Sequence, residues 1–244
     1  MRRIQRSVLL SAALAPLVLG CVGCQTTAEK SARLAKSAKH VVLDQRGLTV
    51  TRLNPDVKVL SALVLHDQNG SAAVVTLRND SSRPLRDVPI AITLKDTRGA
   101  VLAQNNTAGL DASLVSASLL APHRELTWID DQIQAGSSPA TLSARVGEAN
   151  AAPGALPRLD VSGVQLFDDP ANGVGARGTL TNRSTVAQER LVIYAVGRRA
   201  GKIVAAGRAV LPSVPAKTSV PFQVFFIGSP RGAALALSAP PTTL

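Results

Sequence analysis

Hydrophobic and polar positions alternate along much of this chain. The clearest case is Val88, Ile90, Ile92 and Leu94, interleaved with Pro89, Ala91, Thr93 and Lys95. A period of two is that of a strand with one buried face, and Pro89 within it points to an edge or an end of the sheet. Residues 57–65 form an earlier β-rich run that closes at Asp67-Gln68-Asn69-Gly70, where Asn-Gly signals a turn. Residues 73–77 form another, ending at Asn79-Asp80-Ser81-Ser82. An asparagine just after a strand can bond nearby backbone and hold such a turn. Further apolar runs at 100–102, 114–120 and 126–129 are set apart by Asp96-Thr97-Arg98-Gly99 and by Pro122-His123.

The pattern then recurs. A shift of 103 positions places Asn69-Gly70 on Asn172-Gly173, Thr76-Leu77-x-Asn79 on Thr179-Leu180-x-Asn182, Ser81 on Ser184, Val88 on Leu191 and Ile90 on Ile193. Pro122 and Trp128 answer Pro215 and Phe222 after a length difference, which puts about ten extra residues in the first copy near 105–116. Each copy holds six or seven strand candidates, and one sheet of that kind cannot bury its apolar face alone. Two sheets packed face to face can, so the fold expected is all-β: two tandem immunoglobulin-like β-sandwich domains. The expected boundaries are 41–147 and 156–237. The breaker-rich residues 148–155 form the linker, and 238–244 form a flexible tail.

The second copy carries the residues of a resemblance. Gly178-Thr179-Leu180-Thr181-Asn182-Arg183-Ser184 is followed by Leu191-Val192-Ile193-Tyr194-Ala195, by Gly201-Lys202, and by Pro215-Ala216 with Phe222 closing. This resembles the FxLYD-type and related small immunoglobulin-like domains of bacterial envelope lipoproteins. Arg198-Arg199-Ala200-Gly201 stands where their acidic turn would be, and Pro215-Ala216 replaces Pro-Gly. The resemblance implies a sandwich used for binding or scaffolding and carries no common catalytic residues.

The N-terminus has a different pattern. Arg2, Arg3 and Arg6 precede an apolar run over 8–19, and Val18-Leu19-Gly20-Cys21 follows the order aliphatic, variable, small, cysteine. Residues 1–20 thus resemble a bacterial lipoprotein signal peptide, with Cys21 lipidated, Cys24 as second choice, and 21–40 a basic tether. The apolar run is too short for a secure transmembrane span, whereas several acyl chains (palmitate among them) on one cysteine would hold the protein on a membrane. The expected location is the bacterial cell envelope, extracytoplasmic and lipid-anchored, on the outer membrane if the cell has one.

Charge adds a second contact. The net charge is +11, but 41–155 holds 10 basic and 11 acidic residues, whereas 156–244 holds 10 and 4. Arg198, Arg199, Lys202 and Arg208 gather around one predicted hairpin turn, an expected contact for anionic headgroups, an anionic envelope polymer or an envelope protein. Nucleic acid is not expected as a partner, since aromatics are 2% of residues and leave little to stack bases on.

Chemistry-bearing residues are few and scattered. His40, His66 and His123 lie near turns and lack a third ligand in usable spacing, so no metal or other cofactor is expected. Asp130-Asp131 and Asp168-Asp169 are adjacent pairs, and neighbours on a strand point to opposite faces, so surface turns are expected for both. No nucleophile elbow occurs. The expected catalytic set is therefore empty: a non-catalytic binding, scaffold or assembly module. The alternative is an enzyme or ligand-binding accessory with a site in the interdomain cleft.

Overall fold

Residues 47–244, apart from 134, 136, 137 and 153, are described by a computed structural model. The signal, Cys21, Cys24, the tether and His40 lie outside the described residues. What is described is all-β, with fifteen strands in antiparallel sheets and one 3-10 turn. Among the described residues no helix is long and apolar enough to cross a membrane.

In the first half, β1 (Val57–Asp67), β2 (Gly70–Asn79) and β6 (Glu125–Ile133) make one sheet in the order β1-β2-β6. The alternating run becomes β3 (Leu85–Lys95), the centre of the facing sheet. Along one side β3 pairs with β4 (Val101–Gln104) and β5 (Ser116–Leu120), and along the other with β7 (Thr141–Val146) and β8 (Asn150–Ala151). Its inward positions Val88, Ile90, Ile92 and Leu94 are all buried, as the period of two requires.

The second half repeats this pairing. Strands β9 (Leu159–Asp169), β10 (Gly173–Asn182) and β13 (Ser219–Phe225) form a sheet in the order β13-β10-β9. Opposite it lie β11 (Gln188–Arg199), β12 (Lys202–Val214), β14 (Ile227–Gly228) and β15 (Ala234–Ser238), in the order β14-β12-β11-β15. Strand β12 runs unbroken where the first half has β4, a loop with the turn Ala112–Leu114, and β5. The extra residues of the first copy are that loop. Even the strained backbone recurs: left-handed φ values occur at Asp87 and Arg190, and again at His123 and Lys217. Non-glycine residues rarely hold this conformation, so its repetition at matching places reflects one backbone path used twice.

The buried asparagines tie the two sheets of each sandwich together. Asn79 Nδ2 donates to Arg83 O (2.7 Å) and Leu120 O (3.1 Å), and its Oδ1 accepts from Ser81 N and Oγ. Asn182 Nδ2 donates to Val186 O (2.8 Å) and Val214 O (3.2 Å), and its Oδ1 accepts from Ser184 N and Oγ. The turn-holding role read from sequence is present. The bond to the facing sheet adds a cross-link that sequence position alone did not indicate.

The halves do not meet as beads on a linker. On β11, Leu191, Ile193 and Ala195 belong to the core of the second sandwich, while Val192, Tyr194 and Val196 belong to the core of the first. Strand β2 is similarly buried throughout Ser71–Leu77. One apolar core therefore continues from the first sandwich onto the outer face of the β11 sheet. A strand covered on both faces reads as a continuous apolar run, not an alternating one. The C-terminal residues are not a free tail either. Gln188 Oε1 accepts from Thr242 N (2.9 Å) and Thr243 N (3.2 Å), and Gln188 Nε2 donates to Thr243 O (2.9 Å).

Candidate functional site

Alternation along β6 sends Leu126, Trp128 and Asp130 into the first sandwich and Ile129 and Asp131 toward the second half. Trp128 is fully buried, and its Nε1 donates to Ser113 O (3.0 Å) in the extra loop. Asp131 Oδ2 accepts from the backbone N of Arg208 on β12 (2.9 Å), and Arg208 Nη2 reaches back to Ser113 Oγ (2.8 Å). Tyr194 of β11 is buried beside the same group. The junction thus holds two carboxylates, a guanidinium and a phenol, contributed by both halves.

Burial dominates their electrostatics. Asp130 is only 5% exposed, and desolvation pushes its carboxyl up to about 6, against the pull of the Gln132 amide and the Arg208 charge. Burial also raises Asp131, opposed by the Arg208 backbone amide and charge. Tyr194 is driven well above the usual phenol range by burial. Arg208 is 8% exposed, and its Nη1 is buried without a hydrogen-bond partner among the described residues. Its side chain makes one hydrogen bond, to Ser113 Oγ, and among the described residues no ion pair, so the carboxylates act on it through charge alone.

Two sequence expectations change here. Asp130 and Asp131 do point to opposite faces, but they lie on a strand, Asp130 buried and Asp131 half-buried, not on a surface turn. The reason is the second half, which covers the outer face of their sheet. Asp168 and Asp169 end β9 on the surface, as expected of a turn, and Asp168 pairs with Arg231. The basic quartet divides. Arg199 and Lys202 are exposed beside the two-residue turn Ala200-Gly201, both of whose residues have left-handed φ. Arg198 is half-buried, and Arg208 is not on that tip at all but buried between the halves. Arg199 donates to Arg231 O, and Arg231 pairs with Asp168, so the Arg199 side chain is fixed beside an ion pair.

Two concavities flank the junction. One, of about 210 Å³, lies where the halves meet and is lined by Asp111, Ser113, Glu189, Arg190 and Tyr194 among others; Arg190 pairs with Asp111 across it. The other, of about 320 Å³, lies within the first sandwich between β3, β6 and the extra loop, and Asp130 lines it. Neither is lined by a histidine. His66 Nδ1 bonds Ser71 Oγ (2.8 Å), and His123 is exposed in its turn. Among the described residues no three His, Cys, Asp or Glu side chains are gathered as a metal site.

The polar clusters that sequence reasoning missed are those whose partners come from distant strands. Asn105 is buried, with Nδ2 donating to Ile90 O (2.7 Å) and Leu114 O (2.9 Å) and Oδ1 accepting from Ile92 N (2.8 Å), so it fixes the extra loop to β3. The one signal available beforehand was the length difference between the copies near 105–116. No family model and no curated protein matches this chain.

Proposed function

We propose that this protein is a non-catalytic bacterial envelope lipoprotein, anchored through an acylated Cys21, whose paired immunoglobulin-like sandwiches serve as a binding, scaffold or assembly module. The observation that carries the reading is the shared core: Val192, Tyr194, Val196, Ile203, Ala206 and Ile227 of the second half are buried with Val57, Val74, Val75 and Ile129 of the first. Joined sandwiches of this kind present their loops in a fixed relation, as a scaffold must, whereas a hinged pair would not. Export and the lipid anchor are supported by Arg2, Arg3 and Arg6, the apolar run over 8–19 and the Gly20-Cys21 junction.

Fractionation and fatty-acid labelling test the anchor. The wild-type chain is expected in the membrane fraction with label incorporated. Cys21→Ser is expected unprocessed or soluble and unlabelled. Label retained by Cys21→Ser and lost by Cys24→Ser would move the anchor to Cys24, and label retained by both would reject the lipoprotein reading. The electrostatic contact narrows to Arg199 and Lys202. Binding of the anchored protein's exposed part to anionic envelope polymer is expected to fall with salt and with Arg199→Ser/Lys202→Ser. Binding unchanged by either would leave these residues as a solvated turn.

A further inference from the structure

The two copies diverge at one core position. Asp130 lies opposite Ala73 on β2, and the matching position opposite Ala176 on β10 is Val224. Val224 is an ordinary core side chain, 1% exposed. At the same place the first copy has a carboxylate, an extra loop in place of an unbroken β12, and a cavity of about 320 Å³ between them. A carboxylate buried at a core position is costly unless something partners it. Among the described residues Asp130 accepts a single hydrogen bond, from Gln132 N to Oδ1 (3.0 Å).

The cavity has a built gradient. Its floor is Ile92, Leu94, Leu114 and Asp130, all buried, while Gln104 and Thr107 at its rim are exposed. Asn105 secures the loop that walls it. Its volume falls at the small end of ligand pockets and equals about ten water volumes. The charged groups facing Asp130 are Asp131 from its own strand and Arg208 from β12, with Tyr194 of β11 nearby. Of these charged groups only Asp130 lines the cavity, so its polar end carries a single carboxylate.

We infer that this cavity of the first sandwich is a binding site for a small amphiphilic amine, its ammonium group paired with Asp130 and its compact apolar body packed against Leu94, Leu102 and Leu114. An ammonium supplies both the charge and the donors that Asp130 lacks. A neutral apolar ligand would leave the carboxylate uncompensated, and an anion would be repelled by it. The inference is independent of how the protein is anchored or of what its surface contacts.

Calorimetric titration of the full chain in nanodiscs with cyclohexylmethylamine tests it, with cyclohexylmethanol as the uncharged probe of equal shape. The amine is expected to bind saturably at one site, at least tenfold tighter than the alcohol, and to weaken below about pH 6 as Asp130 takes up a proton. Asp130→Asn is expected to lose that tenfold preference while the alcohol is unaffected. Trp128, the only tryptophan and fully buried, reports by its fluorescence whether the variant is folded. A second variant, Leu114→Phe, fills the floor without touching the carboxylate and is expected to weaken both probes. Bilayer partition is common to all three chains and cancels in the comparison. No saturable binding of the amine, equal binding of amine and alcohol, or unchanged amine binding by folded Asp130→Asn would each overturn the inference.

Discussion

Asn79 and Asn182 make the same bonds in the two halves: each amide donates across to a carbonyl of the facing sheet, Leu120 O and Val214 O, while its oxygen accepts from a serine two residues on. Neither side chain is exposed. An amide so placed satisfies carbonyls that water cannot reach.

Replacing either asparagine by Ala should therefore destabilise the fold by about 2–4 kcal/mol, because buried carbonyls and a serine amide lose their partner. Thr181→Ala, whose hydroxyl bonds Ser219 Oγ at the surface, should cost under about 0.5 kcal/mol. Denaturant unfolding followed by Trp128 fluorescence and far-UV circular dichroism measures both.

Leu77 and Leu180 are fully buried in equivalent strands, β2 and β10. Truncating either to Ala should cost about 2–5 kcal/mol. Because the core runs from one half into the other, unfolding should remain one transition. Trp128 fluorescence, which reports the first half, should coincide with circular dichroism, which reports both. Two separated transitions in the wild-type chain would show that the shared core does not couple the halves.

Asp130 gives the pH profile an uncommon sign. Its folded carboxyl lies at about 6, above the ordinary 3.8, so the folded chain holds a proton that the unfolded chain has released. Stability from this group is full below about pH 4, falls as pH rises to about 6, and is flat beyond. The whole change is about 3 kcal/mol. Asp131 contributes with the same sign. Asp80 works in the opposite sense, because hydrogen bonds from Arg78 and Lys58 hold it at about 2, and its contribution is lost only in stronger acid. Asp130→Asn should flatten the fall between pH 4 and 6 and be more stable than wild type at pH 7.5, as read from denaturation midpoints.

Arg208→Ala should destabilise by about 1–3 kcal/mol at neutral pH, since it removes the Nη2 bond to Ser113 Oγ and the cation whose charge favours ionised Asp130 and Asp131. The same change at Lys202, exposed beside its turn, should be within about 0.5 kcal/mol. Thermal melts of the two variants distinguish a junction arginine from a surface one. Equal losses would return Arg208 to the basic tip.

The all-β class, the recurrence of the first half in the second and the Asn-x-Ser turns are all present in the order of the residues. Each rests on local rules: alternation over 88–94, Asn-Gly turns, and a repeated spacing between them. What the sequence did not determine is the face each strand turns to its neighbours. Leu191 to Val196 is an unbroken apolar run, and read alone it is simply a strand. Only the packing of the other half against its outer face explains why Val192 and Tyr194 are as buried as Ile193. The same packing moved Arg208 from a basic surface cluster to the junction, and Asp130-Asp131 from a turn to the interior. Charge along a chain is visible residue by residue, but desolvation depends on which distant strands cover it. Local periodicity therefore specified the strands, and the tertiary contacts decided which of their polar side chains are solvated and which are held as chemistry.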